Sequence, residues 1–373
     1  MIWISTDDDS SLGLVSRTGN NNTMVKNGIT ITKVYESEAY AMKQFLHQKR
    51  NTCGGIDVHD SLEDALEHLS RLENADRNQK AYKYSINNQL QVEELFRSIN
   101  ANNLWRDVEK FKSMQTRRSV SNYNLEASNK ILWYWWSKVH WDSLSMAIDI
   151  SYYHHIKTDQ PSVVLTIPGK EEMGDTVILG AHLDSKNGRF GDHNARAPGA
   201  DDNASGLALL TECLRVILKT KYRPRKTIKL IAFAAEEEFL LGSKEMAADY
   251  LKRKENVVGM LNLDMSGFKG SARDIYLVKD NTNTKQNEFL EALMSQEYMR
   301  GITHGYTRCG YACSDHVSWH VNGFPASMAF ESKFDESNPE IHTSRDTHVN
   351  QHHMKKFVKL ALAYIAELAK TSA

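Results

Sequence analysis

His182 and Asp184 stand two residues apart where the apolar run of "ILGAHLDS" ends. Side chains alternate along a strand, so the two point to the same side. Two titratable groups at a buried strand end gain nothing from burial unless something binds them. Taken alone, they read equally well as a hydrogen-bonded His–Asp pair capping the strand. The pattern recurs, however. Glu236, Glu237 and Glu238 end "IKLIAFAAEEE", and Asp264 ends "GMLNLDMSG". Asp201 and Asp202 lie in "PGADDNASG" before a long helical pattern, and His342 follows "ASMAFES" in "EIHTSRD". One acid at a strand end is common. Several converging on one rim carry a like-charge cost that divalent cations relieve. Two imidazoles among carboxylates suit zinc better than magnesium or calcium, which take all-oxygen shells.

Such a rim needs elements to hold it. From about Tyr82 the chain alternates strand and helix patterns. Strands are expected at "MAIDISYY", "SVVLTI", "TVILGAHLDS", "TIKLIAFAAEE", "VVGMLNLDMSG", "DIYLVKD" and "ASMAFES". Between them run helical patterns, among them Ser205 to Lys219 and "HHMKKFVKLALAYIAELAK". Alternation of this kind implies an α/β fold with a mostly parallel mixed sheet and helices on both faces. Ligands in such sheets bind beyond the carboxyl ends of the strands. In "EASNKILWYWWSKV" the residues Trp133, Trp135 and Trp136 are expected in the core.

Residues 1–81 differ from the rest. "MIWIST" and "GITITKVYES" read as strands, and "SEAYAMKQFLHQKR" and "SLEDALEHLSRLE" as helices. The polar stretch Glu73–Lys83 is the best linker in the chain. The division is therefore a small α+β domain over 1–81 and a larger domain over 82–373.

The chain has 373 residues, 41% hydrophobic and 25% charged, with a net charge of −1. These values are ordinary for a globular protein, and nothing marks a nucleic-acid surface. No run approaches the roughly 20 apolar residues that span a bilayer. "MIWISTDDD" has no signal-peptide pattern. A cytoplasmic chain and an exported chain already freed of its signal both remain open. Of four cysteines, Cys309 and Cys313 in "RCGYACSDH" are close enough for a small disulfide loop or for half of a metal site. Cys213 reads as a core thiol.

"GAHLDS…APGADDNASG…AFAAEEEFLLGS…LNLDMSG…CGYACSDHVSWH…FESKF…IHTSRDT" resembles the secreted bacterial leucyl aminopeptidases of the Vibrio/Aeromonas type, which use a co-catalytic pair of zinc ions. The likeness runs from about Tyr84 to the C-terminus. "IWIS" and "RNTCGGIDVH" also resemble the pro-region of those enzymes.

The resemblance implies that His182 and Asp264 hold one zinc, that Glu237 and His342 hold the other, and that Asp202 bridges them, with Asp201 its competitor. It implies that Asp184 orients His182, that Glu236 is the general base acting on a shared water, and that Tyr311 donates to the oxyanion. It further implies a Cys309–Cys313 disulfide, a cis peptide at Asp202–Asn203 and an exported protein. The first-residue pocket would comprise Met265, Val278, Phe330, Phe334 and Ile341, favouring Leu-like residues. Ser337 stands where the family has tyrosine, beside Asp335 and Glu336, which leaves a preference for Lys or Arg open. Glu238 reads as a solvated acid.

The expected partners are peptides with a free N-terminus and the chain's own pro-region as inhibitor, in a protein that acts as a monomer. Steric covering of the rim is one means of inhibition, and ligation of zinc by Cys53 or His59 another. Two further readings compete. One is a different hydrolase or cyclase on the same fold, such as a carboxypeptidase or a glutaminyl cyclase. The other is a binding ectodomain without chemistry, which the complete ligand set disfavours.

Overall fold

A computed structural model describes residues 1–6, 23–26, 28–50, 56–78, 82–142, 147–170, 174–188, 192–310 and 312–371. The N-terminal part is a four-stranded antiparallel sheet of order β2–β3–β1–β4, formed by β1 (Ile2–Thr6), β2 (Thr23–Lys26), β3 (Ile29–Val34) and β4 (Asp57–His59). Helices α1 (Glu36–Arg50) and α2 (Leu62–Asn78) accompany it. Helix α2 runs on through most of the stretch read as a linker. Ala75 is buried, so one apolar residue among polar ones is enough to keep that last turn against its neighbours.

The larger part is an eight-stranded mixed sheet of order β11–β10–β12–β9–β7–β8–β6–β5. Its strands are β5 (Asp149–Tyr153), β6 (Ser162–Ile167), β7 (Asp175–His182), β8 (Thr227–Phe233), β9 (Asn256–Leu263), β10 (Ile275–Val278), β11 (His304–Thr307) and β12 (Ala326–Phe330). Strands β12, β9, β7 and β8 are parallel neighbours, so their carboxyl ends share one rim.

These strands read as unbroken apolar runs because both faces are covered. Alternation survives within the runs. Val177, Leu179 and Ala181 join the core on one side, and Ile178 the core on the other. The first side is covered by α3 (Gln89–Arg97), α4 (Ala101–Lys112), α5 (Asn124–Asp142), α6 (Gly206–Thr220), α8 (Thr284–Met294) and α10 (Gln351–Ala369). The second is covered by α7 (Leu241–Lys252) and α9 (His316–Val321).

Of the three tryptophans expected in the core, only Trp135 is buried, and its indole N–H donates to Thr211 Oγ1. Trp133 and Trp136 are 60% and 42% exposed, contrary to expectation. A helix that packs on one side has room there for one ring of the three. Among the described residues, no helix is long and apolar enough to cross a membrane.

Candidate metal centre and substrate pocket

Three strands of the rim end in chemical side chains, and a turn and a loop bring in two more. His182 is the last residue of β7, Asp264 follows β9, and Glu236 and Glu237 follow β8 after a short turn. The turn Ala200–Ser205 brings Asp202 in from the start of α6, and its Asp202–Asn203 peptide is cis. His342 arrives on the loop after β12.

The side chains converge. His182 Nε2 lies 3.0 Å from Asp202 Oδ1 and 3.1 Å from Asp264 Oδ1. His342 Nε2 lies 3.1 Å from Asp202 Oδ2 and 2.9 Å from Glu237 Oε1. Asp202 thus gives one oxygen to each imidazole. The two sets, His182–Asp202–Asp264 and Asp202–Glu237–His342, each bring their ligand atoms within 4.8 Å of one another, and all five residues are buried. Both oxygens of Glu237 are buried without a well-formed hydrogen bond, although Oε1 faces the His342 ring. Buried imidazole and carboxylate lone pairs aimed at shared points make candidate metal-binding donor sets, and their nitrogen and oxygen atoms fit zinc.

The electrostatics have the same cause. Burial alone would push His182 down, but Asp264, Glu236, Asp184 and Asp202 around it hold it well above its usual value. Burial would likewise raise Asp202, yet the two imidazoles hold it well below the carboxylate range. Glu237 is held at about 2, where His342 overcomes burial. Glu236 is pushed well up, first by burial and then by Glu237 and Asp264.

Asp184 does more than its motif implies. It lies 3.4 Å from His182 Nδ1, and its two oxygens accept from the backbone N–H of Glu236 and of Glu237, both at 3.1 Å. It therefore ties the His182 strand to the acid pair of the next strand. Asp201 turns away from the rim, accepting from Gly267 N at 2.8 Å and Asn338 Nδ2 at 3.0 Å, so it does not compete for the bridging position. Asp346 accepts from the backbone of both Asp201 and Asp202. Burial, with Asp201 beside it, pushes Asp346 up to about 8. Even so, both its oxygens face N–H donors, and the ionised form offers an acceptor at each.

Glu238 is not solvated. It is 1% exposed and pairs with the buried Arg118, whose Nη2 lies 3.1 Å from its Oε1. The motif carries no sign of this, because the partner is 120 residues away. Arg117 was also invisible in the sequence. Its buried guanidinium donates to the carbonyls of Leu183, Phe111, Pro198 and Gly199, tying the loop after β7 to the Asp202 turn.

Met265, Val278, Phe330, Phe334 and Ile341 form one buried apolar cluster beside Asp264, closed by the Cys309–Cys313 disulfide. Met328 belongs to the same cluster and was missed. Period-two spacing from Phe330 along β12 would have found it. Ser337 is buried. Glu336 is turned to Ser271 and Lys333, the latter at 2.9 Å, while Asp335 is exposed. Tyr311 and Cys53 lie outside the described residues. His59 bonds Ser5 Oγ within the N-terminal sheet and belongs to neither candidate metal set.

The N-terminal part reaches the rim through another residue. Lys43 of α1 is buried and donates to the backbone carbonyl of Glu237 at 2.8 Å. Its ammonium lies 5.2 Å from the ring centroid of Phe239. The signal was present, since Lys43 sits between Met42 and Leu46 on the helical stripe Ala39, Met42, Leu46 that is otherwise apolar.

Residues 162–365 match the model of peptidase family M28. A probable leucine aminopeptidase of the fungus Trichophyton verrucosum is 35% identical over 305 residues, 78% of this chain and 79% of its own. A probable aminopeptidase of Saccharomyces cerevisiae is 32% identical over the same shares. The crystal structure of LapB from Legionella pneumophila superposes with a TM-score of 0.83 at 27% identity, covering 99% of each chain. With paired histidine–carboxylate sets on the rim and these relatives, the chain belongs to peptidase family M28 and is a zinc-dependent metalloaminopeptidase.

Proposed function

We propose that the enzyme binds two zinc ions and removes the first residue of peptides, preferring large apolar side chains there. The observation that carries this is Asp202, whose two oxygens each face a different histidine, each backed by a further acid. His182 and Asp264 would hold one ion, Glu237 and His342 the other, and Asp202 both. Bound there, zinc would supply Lewis acidity, polarising the scissile carbonyl and making water acidic enough to attack.

The chain's own groups do the rest. Glu236, placed at the rim by Asp184, takes the proton from the attacking water and returns it to the leaving amine. The cluster around Met265, Phe330 and Phe334 receives the first side chain and excludes water from it. Because Glu336 is already engaged by Lys333 and Ser271, the pocket mouth offers less negative charge than its sequence suggests. That favours Leu over Lys. The relatives named leucine aminopeptidases point the same way. The disulfide supports an exported enzyme.

Residues 1–81 act as an inhibitory pro-region in this reading. Lys43 fastens that segment to the Glu237 backbone, and Phe239 and Leu240 pack against it.

Metal analysis of the purified chain, followed by a panel of amino-acid p-nitroanilides, tests the proposal. Two zinc ions per chain are expected, with Leu and Met derivatives cleaved well and Asp and Glu derivatives poorly. Ser337→Tyr should raise the Leu-to-Lys ratio. One zinc ion at full activity, or Lys preferred over Leu, would overturn the respective part.

A further inference from the structure

Two buried carboxylates make the same contact on opposite sides of the centre. Asp184, two residues after His182, accepts from the successive backbone N–H groups of Glu236 and Glu237. Asp346, four residues after His342, accepts from the successive N–H groups of Asp201 and Asp202. The distances are 3.0 Å from Asp201 N to Oδ1 and 3.0 Å from Asp202 N to Oδ2. In each case the second residue of the acid pair carries a candidate ligand. Asp346 is 1% exposed, and its own carbonyl accepts from Ala200 N at 3.0 Å. The segment that bears His342 is therefore fastened to the Asp202 turn at three backbone donors. Asn338 Nδ2 on the same segment adds a donor to Asp201 at 3.0 Å, whereas Asp346 joins the segment to the backbone of Asp202 itself, beside the 3.1 Å approach of His342 Nε2 to Asp202 Oδ2.

We propose that Asp346 is a positioning residue that sets the His342–Asp202 geometry and so the affinity of the second zinc, an inference that rests on the ligand assignment above. The physical reason is the donor pair. Two adjacent peptide N–H groups need an acceptor at each, and a carboxylate supplies both in one rigid plane. An amide would set an NH2 group against an N–H. The turn would then shift, moving Asp202 relative to His342. Partners that orient a ligand in this way are worth about 10–100-fold in metal affinity.

Zinc affinity of the metal-free full chain, measured by competition with a chromophoric chelator, is the test. Asp346→Asn should bind its second zinc equivalent about 10–100-fold more weakly, and raising free zinc should restore kcat. His342→Ala should also weaken that equivalent. The double variant should be no weaker than His342→Ala alone, because the two act on one geometry. Parent-like affinity in Asp346→Asn, or losses that add in the double variant, would overturn the inference. If Asp346→Asn does not fold, Asp346→Glu gives the same reading. A carboxylate displaced by one methylene should weaken the second zinc, and parent affinity would refute the role. If His342→Ala itself keeps both equivalents tight, the ligand assignment fails rather than the role of Asp346 alone.

Discussion

Glu236 and Glu237 are neighbours held by the same Asp184, yet their environments separate their tasks. Glu237 is gripped by His342, whereas Glu236 sits in an acidic, buried setting that raises its affinity for a proton, as a group that receives one from water needs. Glu236→Gln should lower kcat by about 10²–10⁴ while leaving zinc content unchanged. Glu237→Ala should instead lose metal. Steady-state kinetics with metal analysis on both variants checks this, and near-normal turnover in Glu236→Gln would remove it from the chemistry. At this scale the sequence was most informative where a residue type is rare in its place, as with His182 in an apolar strand. It was silent where a role depends on a distant partner. Glu238 reads as a surface acid until Arg118 is seen against it, and the grip of Asp346 on the Asp202 turn has no trace in either motif.

The strands deliver these residues, and their ends carry the constraint. Ala235, Met265 and His342 all take left-handed backbone angles, with φ of 51°, 56° and 56°, beside or at the site. Such conformations cost non-glycine residues about 1–2 kcal/mol each, and the surrounding contacts must hold them. Close approach between elements matters equally. A Cβ on Gly206 would fall 2.2 Å from the Leu263 carbonyl and 2.5 Å from Asn203 Oδ1, between the Asp202 turn and the end of β9. Gly206→Ala should therefore destabilise the fold by about 1–3 kcal/mol and loosen zinc, read as a lower Tm and weaker metal retention. An unchanged Tm would show that α6 can move freely against β9. Long apolar strands such as β7 and β9 were legible because their runs leave little choice. Strands β2 and β11 were not, because "TMVK" and "HGYT" are short and polar and gain order only from neighbouring strands.

Across the whole molecule, the contacts between the N-terminal sheet and the rest were not legible, since they join residues distant in sequence. Their polar side joins Asp57 to Lys244 at 2.6 Å and Asp60 to Lys157, while His68 holds Asp57 at 3.2 Å from within the N-terminal part. Burial chiefly, helped by Lys244 and His68 and opposed by Asp57 and Asp60, holds His59 at about 3. Asp57 is held well below its usual 3.8, because Lys244, His68 and His59 outweigh burial. His59 is bonded to Ser5 within the N-terminal sheet, so it takes a proton near 6.5 only when that sheet unfolds. The folded sheet therefore loses stability as pH falls from 6.5 toward 3, and loses more through Asp57 below 3.8. Hydrogen exchange, corrected for intrinsic rate, should show less protection of α1 and α2 at about pH 5 than at neutral pH. Equal protection would remove the linkage.

Cleavage between the two parts should raise kcat/KM severalfold, and equal activity before and after would end the inhibitory reading. Phe239 gives that event a direction. Its ring belongs to the catalytic part but completes the apolar cluster of Ile4, Val34, Ala39, Met42, Leu46 and Ile56. A released segment of about 80 residues leaves that ring behind, at a size where a single core is already marginal. On the proposed pro-region reading, activation would work as a ratchet: the detached piece would melt, its concentration of docking-competent molecules would fall, and rebinding would have to refold it first. Circular dichroism of the purified segment should show lost structure, and its inhibition on adding back should develop slowly and incompletely.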